Sequence, residues 1–180
     1  MAKIKTTEIL FAGFGGQGIM LMGKLLAQAG LDSKKNVTWM PSYGAEVRGG
    51  TAYSMTKISD SPIASPVVTN PDILVAMNEP SLVKYEDKLK PKGILIMNKS
   101  LISARHHRKD ISVASIPMTE LASKLGSTRS ANMVARGAVL KRSKLFPIRA
   151  AVVALKELMG GKDDLVALNK KAIEKGYEKA

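Results

Sequence analysis

The stretch that most restricts this chain is Gly13-Phe14-Gly15-Gly16-Gln17-Gly18. Its glycines fit G-x-G-x-x-G. They follow the apolar run Ile9-Leu10-Phe11-Ala12 and open a helix-like run over residues 19–29. Strand, tight turn and helix N-terminus in that order form the setting of a dinucleotide-binding turn. Such a site also wants an Asp or Glu at the end of the second strand, to bind the ribose hydroxyls. Here the second strand reads Val37-Thr38-Trp39-Met40 and runs into Pro41-Ser42-Tyr43, while Asp32 precedes it. The turn has the shape of a nucleotide site without its usual second anchor. It serves either as a tight strand-to-helix connection alone or as a place where backbone N–H groups meet an anion.

Around that turn, strand and helix signals alternate. Residues 8–12 read as a first strand and 17–30 as a helix, with Ile19, Met22, Leu25, Leu26 and Ala29 on one stripe. Gly30 suits the end of that helix. Residues 36–40 and 52–58 read as strands two and three. Pro62, Pro66 and Pro71 mark an irregular connection. The continuous apolar runs 72–77 and 93–97 suit strands buried on both faces. Residues 111–116 form one more strand. Helices are expected over 79–89, 118–125, 132–140, Ile148–Met159 and about 163–175, the last with Asp163 and Asp164 at its positive end. The alternation predicts an α/β fold: a Rossmann-like open, mostly parallel sheet with helices on both faces and a helical C-terminal layer. With no repeat, low-complexity tract or linker, residues 1–180 read as one domain.

Composition removes several function classes. No cysteine is present, which excludes disulfides, a cysteine nucleophile and thiolate-held iron–sulfur clusters. The two histidines, His106 and His107, are adjacent in a basic segment and read as part of a solvated loop rather than a metal site. No apolar stretch approaches the roughly 18 residues of a membrane span, and the N-terminus lacks a signal-peptide core. A cytoplasmic protein is expected. The net charge of +13 fits phosphate-bearing substrates, acidic protein partners or nucleic acid. With four Tyr, three Phe and one Trp there is too little for a base-stacking platform, and Arg48-Gly49-Gly50 is a lone RGG triplet.

Two further segments carry chemistry-bearing groups. Pro41-Ser42-Tyr43-Gly44-Ala45-Glu46-Val47-Arg48-Gly49-Gly50-Thr51 begins at the carboxyl end of strand two, where open α/β sheets place their ligand crevice. Glu46 and Arg48 either pair to hold this loop or leave Arg48 to meet an anion with its planar fork. Ser130-Ala131-Asn132 opens a helix, and either Ser130 or Asn132 is placed to cap it. There is no H-E-x-x-H, G-x-S-x-G or Walker A lysine motif, and the acids are scattered. No self-sufficient catalyst is legible.

Together these motifs resemble the gamma subunit, or gamma domain, of 2-oxoacid:ferredoxin oxidoreductases. The resemblance rests on Gly13 to Gly18 followed by Pro41 to Gly50, and is continued by Ser59-Asp60-Ser61-Pro62-Ile63, Pro71-Asp72-Ile73-Leu74-Val75-Ala76, Asn132-Met133-Val134, Leu168-Asn169-Lys170-Lys171-Ala172 and Gly176-Tyr177. It implies a heteromeric complex of anaerobic metabolism that decarboxylates a 2-oxoacid to acyl-CoA, carbon dioxide and reduced ferredoxin. It also implies alpha, beta and possibly delta partner subunits, with thiamine diphosphate, magnesium and iron–sulfur clusters on those partners. Ferredoxin is then the electron acceptor and coenzyme A a co-substrate, with neither nucleic acid nor membrane involved. This chain then supplies no catalytic residue and no metal ligand. Its cofactor-binding or partner-facing residues are Gly13, Gly15, Gly16, Gln17 and Gly18 in one loop, and Ser42, Tyr43, Gly44, Glu46, Arg48, Gly49 and Gly50 in the other. The form of the second loop resembles 2-oxoglutarate or 2-oxoisovalerate (ketoisovalerate) enzymes, with the lean to 2-oxoglutarate. The competing expectation is a stand-alone NAD(P)-binding Rossmann oxidoreductase, against which the missing acid counts.

Overall fold

The computed structural model describes residues 6–42, 51–160 and 162–180. The chain runs through β1 (Thr6–Phe14), α1 (Ile19–Asp32), β2 (Asn36–Ser42), β3 (Thr51–Ser59), β4 (Ile73–Ala76), α2 (Glu79–Tyr85), β5 (Ile94–Asn98) and β6 (Ser112–Ile116). It then continues through α3 (Met118–Lys124), α4 (Ala131–Ser143), α5 (Ile148–Met159) and α6 (Asp163–Lys179). The six strands make one sheet in the order β2-β3-β1-β4-β5-β6. β1, β4, β5 and β6 pair in parallel, whereas β3 pairs antiparallel with both β1 and β2. The sheet is therefore mostly parallel, with one reversed strand inserted between β2 and β1.

Strand periodicity of two sorts side chains onto the two faces. Ile9, Phe11, Ile73, Val75 and Ile96 enter the larger core, built with α1 and α3 to α6. Leu10, Ala12, Leu74, Ala76, Leu95 and Met97 point the other way, onto Leu82, Tyr85 and Leu89 of α2 and its following turn. Helices thus cover both faces, unequally. The expected helix over 79–89 is shorter: α2 ends at Tyr85 and Glu86–Lys88 form a 3-10 turn.

The Glu86 carboxylate ties this turn to the basic loop. It is buried, and it accepts the backbone N–H groups of His107 (2.8 Å) and Arg108 (2.9 Å). His107 bridges it to Asp87, with Nδ1 3.0 Å from Glu86 Oε2 and Nε2 2.8 Å from Asp87 Oδ1. The basic loop is solvated, as expected, yet His107 is tied down rather than free.

Gly30 does not end α1. The helix continues to Asp32, and the left-handed position after it falls to Lys34 (φ 57°). Gly30 is small for packing reasons: a Cβ there would lie 2.7 Å from Val37 Cγ2 on β2. Ser130 precedes α4 but its side chain caps nothing. Its Oγ lies 3.0 Å from Asn169 Oδ1 of α6 instead. Asn132 packs against Gly18.

α4 and α6 form the closest helix pair. A Cβ on Gly137 would lie 2.7 Å from the Tyr177 nitrogen, and one on Gly176 would lie 2.6 Å from the Val134 carbonyl carbon. Two glycines let these backbones touch, which is how a helical layer this thin is sealed to the sheet.

Candidate functional site

The glycine turn joins β1 to α1 at the carboxyl end of β1, beside the carboxyl end of β4. The chain crosses from one half of the sheet to the other at this junction, which is the topological switch point of an open α/β sheet. Gly16 (φ 89°) and Gly18 (φ 73°) take left-handed backbone conformations that other residues adopt only under strain. Gly18 caps α1 with no side-chain hydrogen bond, so the first N–H groups of that helix keep their positive partial charge.

Gln17 decides what the turn can accept. Its Oε1 takes the Phe14 N–H at 2.7 Å, and its Nε2 donates to the Met77 carbonyl, just beyond β4, at 3.4 Å. The carboxamide lies directly over Gly13, where a Cβ would sit 2.5 Å from Gln17 Oε1 and 2.9 Å from Met77 Cβ. The space above Gly13 is filled by the turn's own side chain, whereas Gly15 and Gly16 remain exposed.

The second expected anchor is displaced as well. In a dinucleotide fold the strand beside β1 delivers the ribose-binding acid. Here β3 occupies that place and runs antiparallel, while β2, whose end is Met40-Pro41-Ser42, lies one strand further out. Ser42 aligns with Tyr53, and Tyr53 with Ala12. Ser42 therefore stands about 10 Å from β1, two strand spacings, at the same end of the sheet as the glycine turn. Thr51 aligns with Phe14, so both described ends of the second loop meet this end of the sheet. Tyr43, Gly44, Glu46, Arg48, Gly49 and Gly50 lie outside the described residues.

Two residues absent from the sequence expectations complete the crevice. Asn98, buried at the end of β5, accepts the Met118 N–H at 3.0 Å and donates to Thr119 Oγ1 at 2.9 Å and to the Met77 carbonyl at 3.5 Å. Met77 is thereby fixed from two sides, by Gln17 and Asn98. Arg129, exposed, lines a cleft of about 220 Å³ with Gly16, Gln17, Met77 and Thr119. It makes no hydrogen bond or ion pair among the described residues. The signal for Asn98 was a carboxamide directly after a buried strand. For Arg129 it was a cation one residue before the helix start already singled out at Ser130.

The charged groups at the opposite end of the sheet are structural. Glu8 is held by Lys57 (2.6 Å) and Lys90 (2.8 Å), and Lys90 also reaches Asp72 (3.0 Å). Burial raises the Glu8 pKa, but the hydrogen bonds from the two lysines outweigh it and hold the carboxyl below its ordinary range. Among the described residues no three His, Asp or Glu side chains converge as a metal-ligand set.

A Rossmann-like sheet with its glycine turn plugged by Gln17, and with a reversed strand where a dinucleotide fold places its ribose anchor, is a variant of the nucleotide-binding α/β architecture. The chain belongs, as a gamma-type subunit, to the pyruvate ferredoxin/flavodoxin oxidoreductase family, which it matches over residues 8–179. It is 36% identical over 177 residues to the 2-oxoglutarate synthase subunit KorC of Methanocaldococcus jannaschii, covering 96% of this chain and 93% of that one. It is 34% identical over 172 residues to the ketoisovalerate oxidoreductase subunit VorA of Methanothermobacter thermautotrophicus. That match takes in 95% of this chain, which spans only 36% of the relative's length. The keto/oxoacid ferredoxin oxidoreductase gamma subunit of Geobacter sulfurreducens superposes with a TM-score of 0.84 at 31% identity, over 97% of this chain and 98% of that one. No described helix is long and apolar enough to cross a membrane.

Proposed function

We propose that this chain, one domain over residues 1–180, is the gamma subunit of a cytoplasmic 2-oxoacid:ferredoxin oxidoreductase. Its oxoacid is 2-oxoglutarate, decarboxylated to an acyl-CoA with reduction of ferredoxin. The observation that carries the reading is the glycine turn itself. Its exposed part, Gly15 and Gly16, lies beside a helix N-terminus that has no side-chain cap and beside Arg129, which is unpaired among the described residues, while its inner part is closed by Gln17. Such a surface suits a phosphate or carboxylate presented from outside better than a dinucleotide buried along the sheet. The lean to 2-oxoglutarate rests on the Ser42-Tyr43-Gly44-x-Glu46-x-Arg48-Gly49-Gly50 loop. It is supported by a near full-length match to a 2-oxoglutarate synthase subunit.

In this account the two loops, Gly13 to Gly18 and Ser42 to Gly50, form one face against the alpha and beta subunits, with a delta subunit completing the complex. The partners carry thiamine diphosphate, magnesium and the iron–sulfur clusters; this chain has no cysteine with which to hold a cluster. Coenzyme A, when bound, supplies the thiol that takes up the acyl group. The residues present fit its anionic end: Arg129 and Arg48 are cations, the N–H groups after Gly18 are donors, and among the described residues no acid lines the cleft at Arg129. Their work is to hold and orient that end while the chemistry proceeds on the partner subunits.

Arg48→Ala in the assembled complex tests this reading. Losing one charge-assisted contact is expected to raise the apparent KM for coenzyme A or the oxoacid about tenfold, with assembly intact. Unchanged constants in an intact complex contradict it.

A further inference from the structure

A second cavity lies on the other side of Gly16 and Arg129 from the crevice just described. It has a volume of about 370 Å³ and sits where the starts of α1, α4 and α6 meet the end of α5. Its lining is of two kinds. Leu21, Met133, Met159 and Leu165 give one apolar side, and two methionines make such a wall adaptable to an aliphatic body. Asn132, Asn169 and Arg129 give the other.

The polar side is short of acceptors. Asn132 is 5% exposed, yet its carboxamide has no hydrogen-bond partner among the described residues. Asn169 is 4% exposed; its oxygen is engaged by Ser130, but among the described residues its Nδ2 has no partner other than the Met159 thioether, 3.3 Å away. A thioether is a weak acceptor, and a buried amide donor left with one is under-satisfied. Arg129 stands at the mouth with its charge unpaired among the described residues. Among the described residues no carboxylate lines the cavity. Among the described residues, two carboxamides and one guanidinium therefore line a space to which no carboxylate contributes.

We infer that this cavity is a binding site for a small aliphatic carboxylate. One guanidinium and two neutral amides match a monoanion with two acceptor oxygens, for which the arginine fork is suited. A phosphate, with up to twice the charge, would be under-neutralised here. The aliphatic part enters between Met133, Met159 and Leu165. The cavity shares Gly16 and Arg129 with the Gly15–Gly16 surface but is otherwise lined by different residues, and the inference does not depend on the partner subunits or on oxoacid turnover.

The test is a titration of the full chain with 4-methylpentanoate, followed by amide NMR, against 4-methylpentanamide and inorganic phosphate. Expected are shifts confined to Gly16, Gly18, Asn132 and Asn169, with the neutral amide binding at least tenfold more weakly. Arg129→Gln, a change at an exposed side chain, is expected to weaken the carboxylate about tenfold, as is Asn169→Leu where that variant folds. Absence of shifts in a folded chain overturns the inference. So does equal binding of the neutral amide or of phosphate, or undiminished binding by Arg129→Gln.

Discussion

Gly176 offers a test of how the C-terminal layer is held. A Cβ there would lie 2.6 Å from the Val134 carbonyl carbon and 2.9 Å from its Cα, both backbone atoms in the middle of α4. Neither can rotate away. Carbon atoms rest about 3.5 Å apart or more, so Gly176→Ala must drive α6 from α4 by about 1 Å along its length. Overpacking of this kind costs roughly 3 kcal/mol, and the better helix propensity of alanine returns about 1. The net expectation is a loss of about 2 kcal/mol, or roughly 4–8 °C in Tm for a chain of this size. Gly137→Ala on the facing helix is expected to cost a similar amount. The double variant should cost less than the two together, because one separation of the helices accommodates both methyl groups. Gly160→Ala, where nothing lies within 4 Å of the added carbon, is the control and should stay within about 0.5 kcal/mol of the parent. Urea unfolding followed by circular dichroism measures all four. If Gly176→Ala is as stable as the parent or more so, the backbone-on-backbone crossing is wrong.

Three further outcomes follow from other parts of the molecule. Gln17→Ala removes the bonds to the Phe14 N–H and the Met77 carbonyl. It should cost about 1–2 kcal/mol in urea unfolding and speed amide exchange at Phe14; unchanged exchange would show that the carboxamide does not brace the turn. Arg136 is fully buried in α4, with one hydrogen bond to the Leu25 carbonyl at 2.9 Å and with Nε and Nη1 unpartnered among the described residues; burial pulls its pKa down to about 10. That shift is worth roughly 3 kcal/mol against the charged form, and the lost bond is worth about 1.5–3. Arg136→Met should therefore leave stability unchanged or raise it by up to about 2 kcal/mol, and a loss of more than 2 contradicts the ledger. His107 is held above its ordinary value of 6.5 by its hydrogen bond to Asp87, with the Glu86 carboxylate adding to it. The stability this pairing gives is present in full below pH 6.5 and fades as pH rises through the folded value. NMR titration should place His107 above 6.5, and Asp87→Asn should bring it down; a value at or below 6.5 in the parent refutes the pairing.

Much of the architecture was legible because it is written in local periodicity. The runs around Ile73 and Ile94 read as buried strands and are so. The stripe Ile19, Met22, Leu25, Leu26 marked the buried face of α1, and α5 has the expected limits. The reversed β3 was not legible. Strands two and three pair through register, and the sequence between them has no Asn-Gly or Asp-Gly pair of the kind that announces antiparallel pairing. That one strand also changes the meaning of the missing acid, since β2 is not the neighbour of β1. Gly30 misled because a glycine near a helix end has two uses, and here close packing against Val37 prevailed over termination. Ser130 misled similarly, its hydroxyl being claimed by Asn169 across the helix pair. Arg136 was indistinguishable in sequence from the solvated cations around it, because burial of a single arginine is decided by tertiary packing. Of the candidate site, the glycine turn and Gln17 were found from spacing, whereas Asn98 bonds to residues twenty or more positions away and Arg129 lines a cleft with Gly16, Gln17 and Met77, which are distant in sequence.

The central claim is that this chain works only as the gamma part of a 2-oxoacid:ferredoxin oxidoreductase. The most direct measurement is anaerobic affinity capture of the chain from its own cell extract. The eluate is then assayed for CoA-dependent viologen reduction with 2-oxoglutarate, 2-oxoisovalerate and pyruvate. The account predicts co-eluting partner subunits and activity greatest with 2-oxoglutarate. A lone chain without activity on any of the three contradicts it, and a complex preferring another oxoacid corrects the substrate alone.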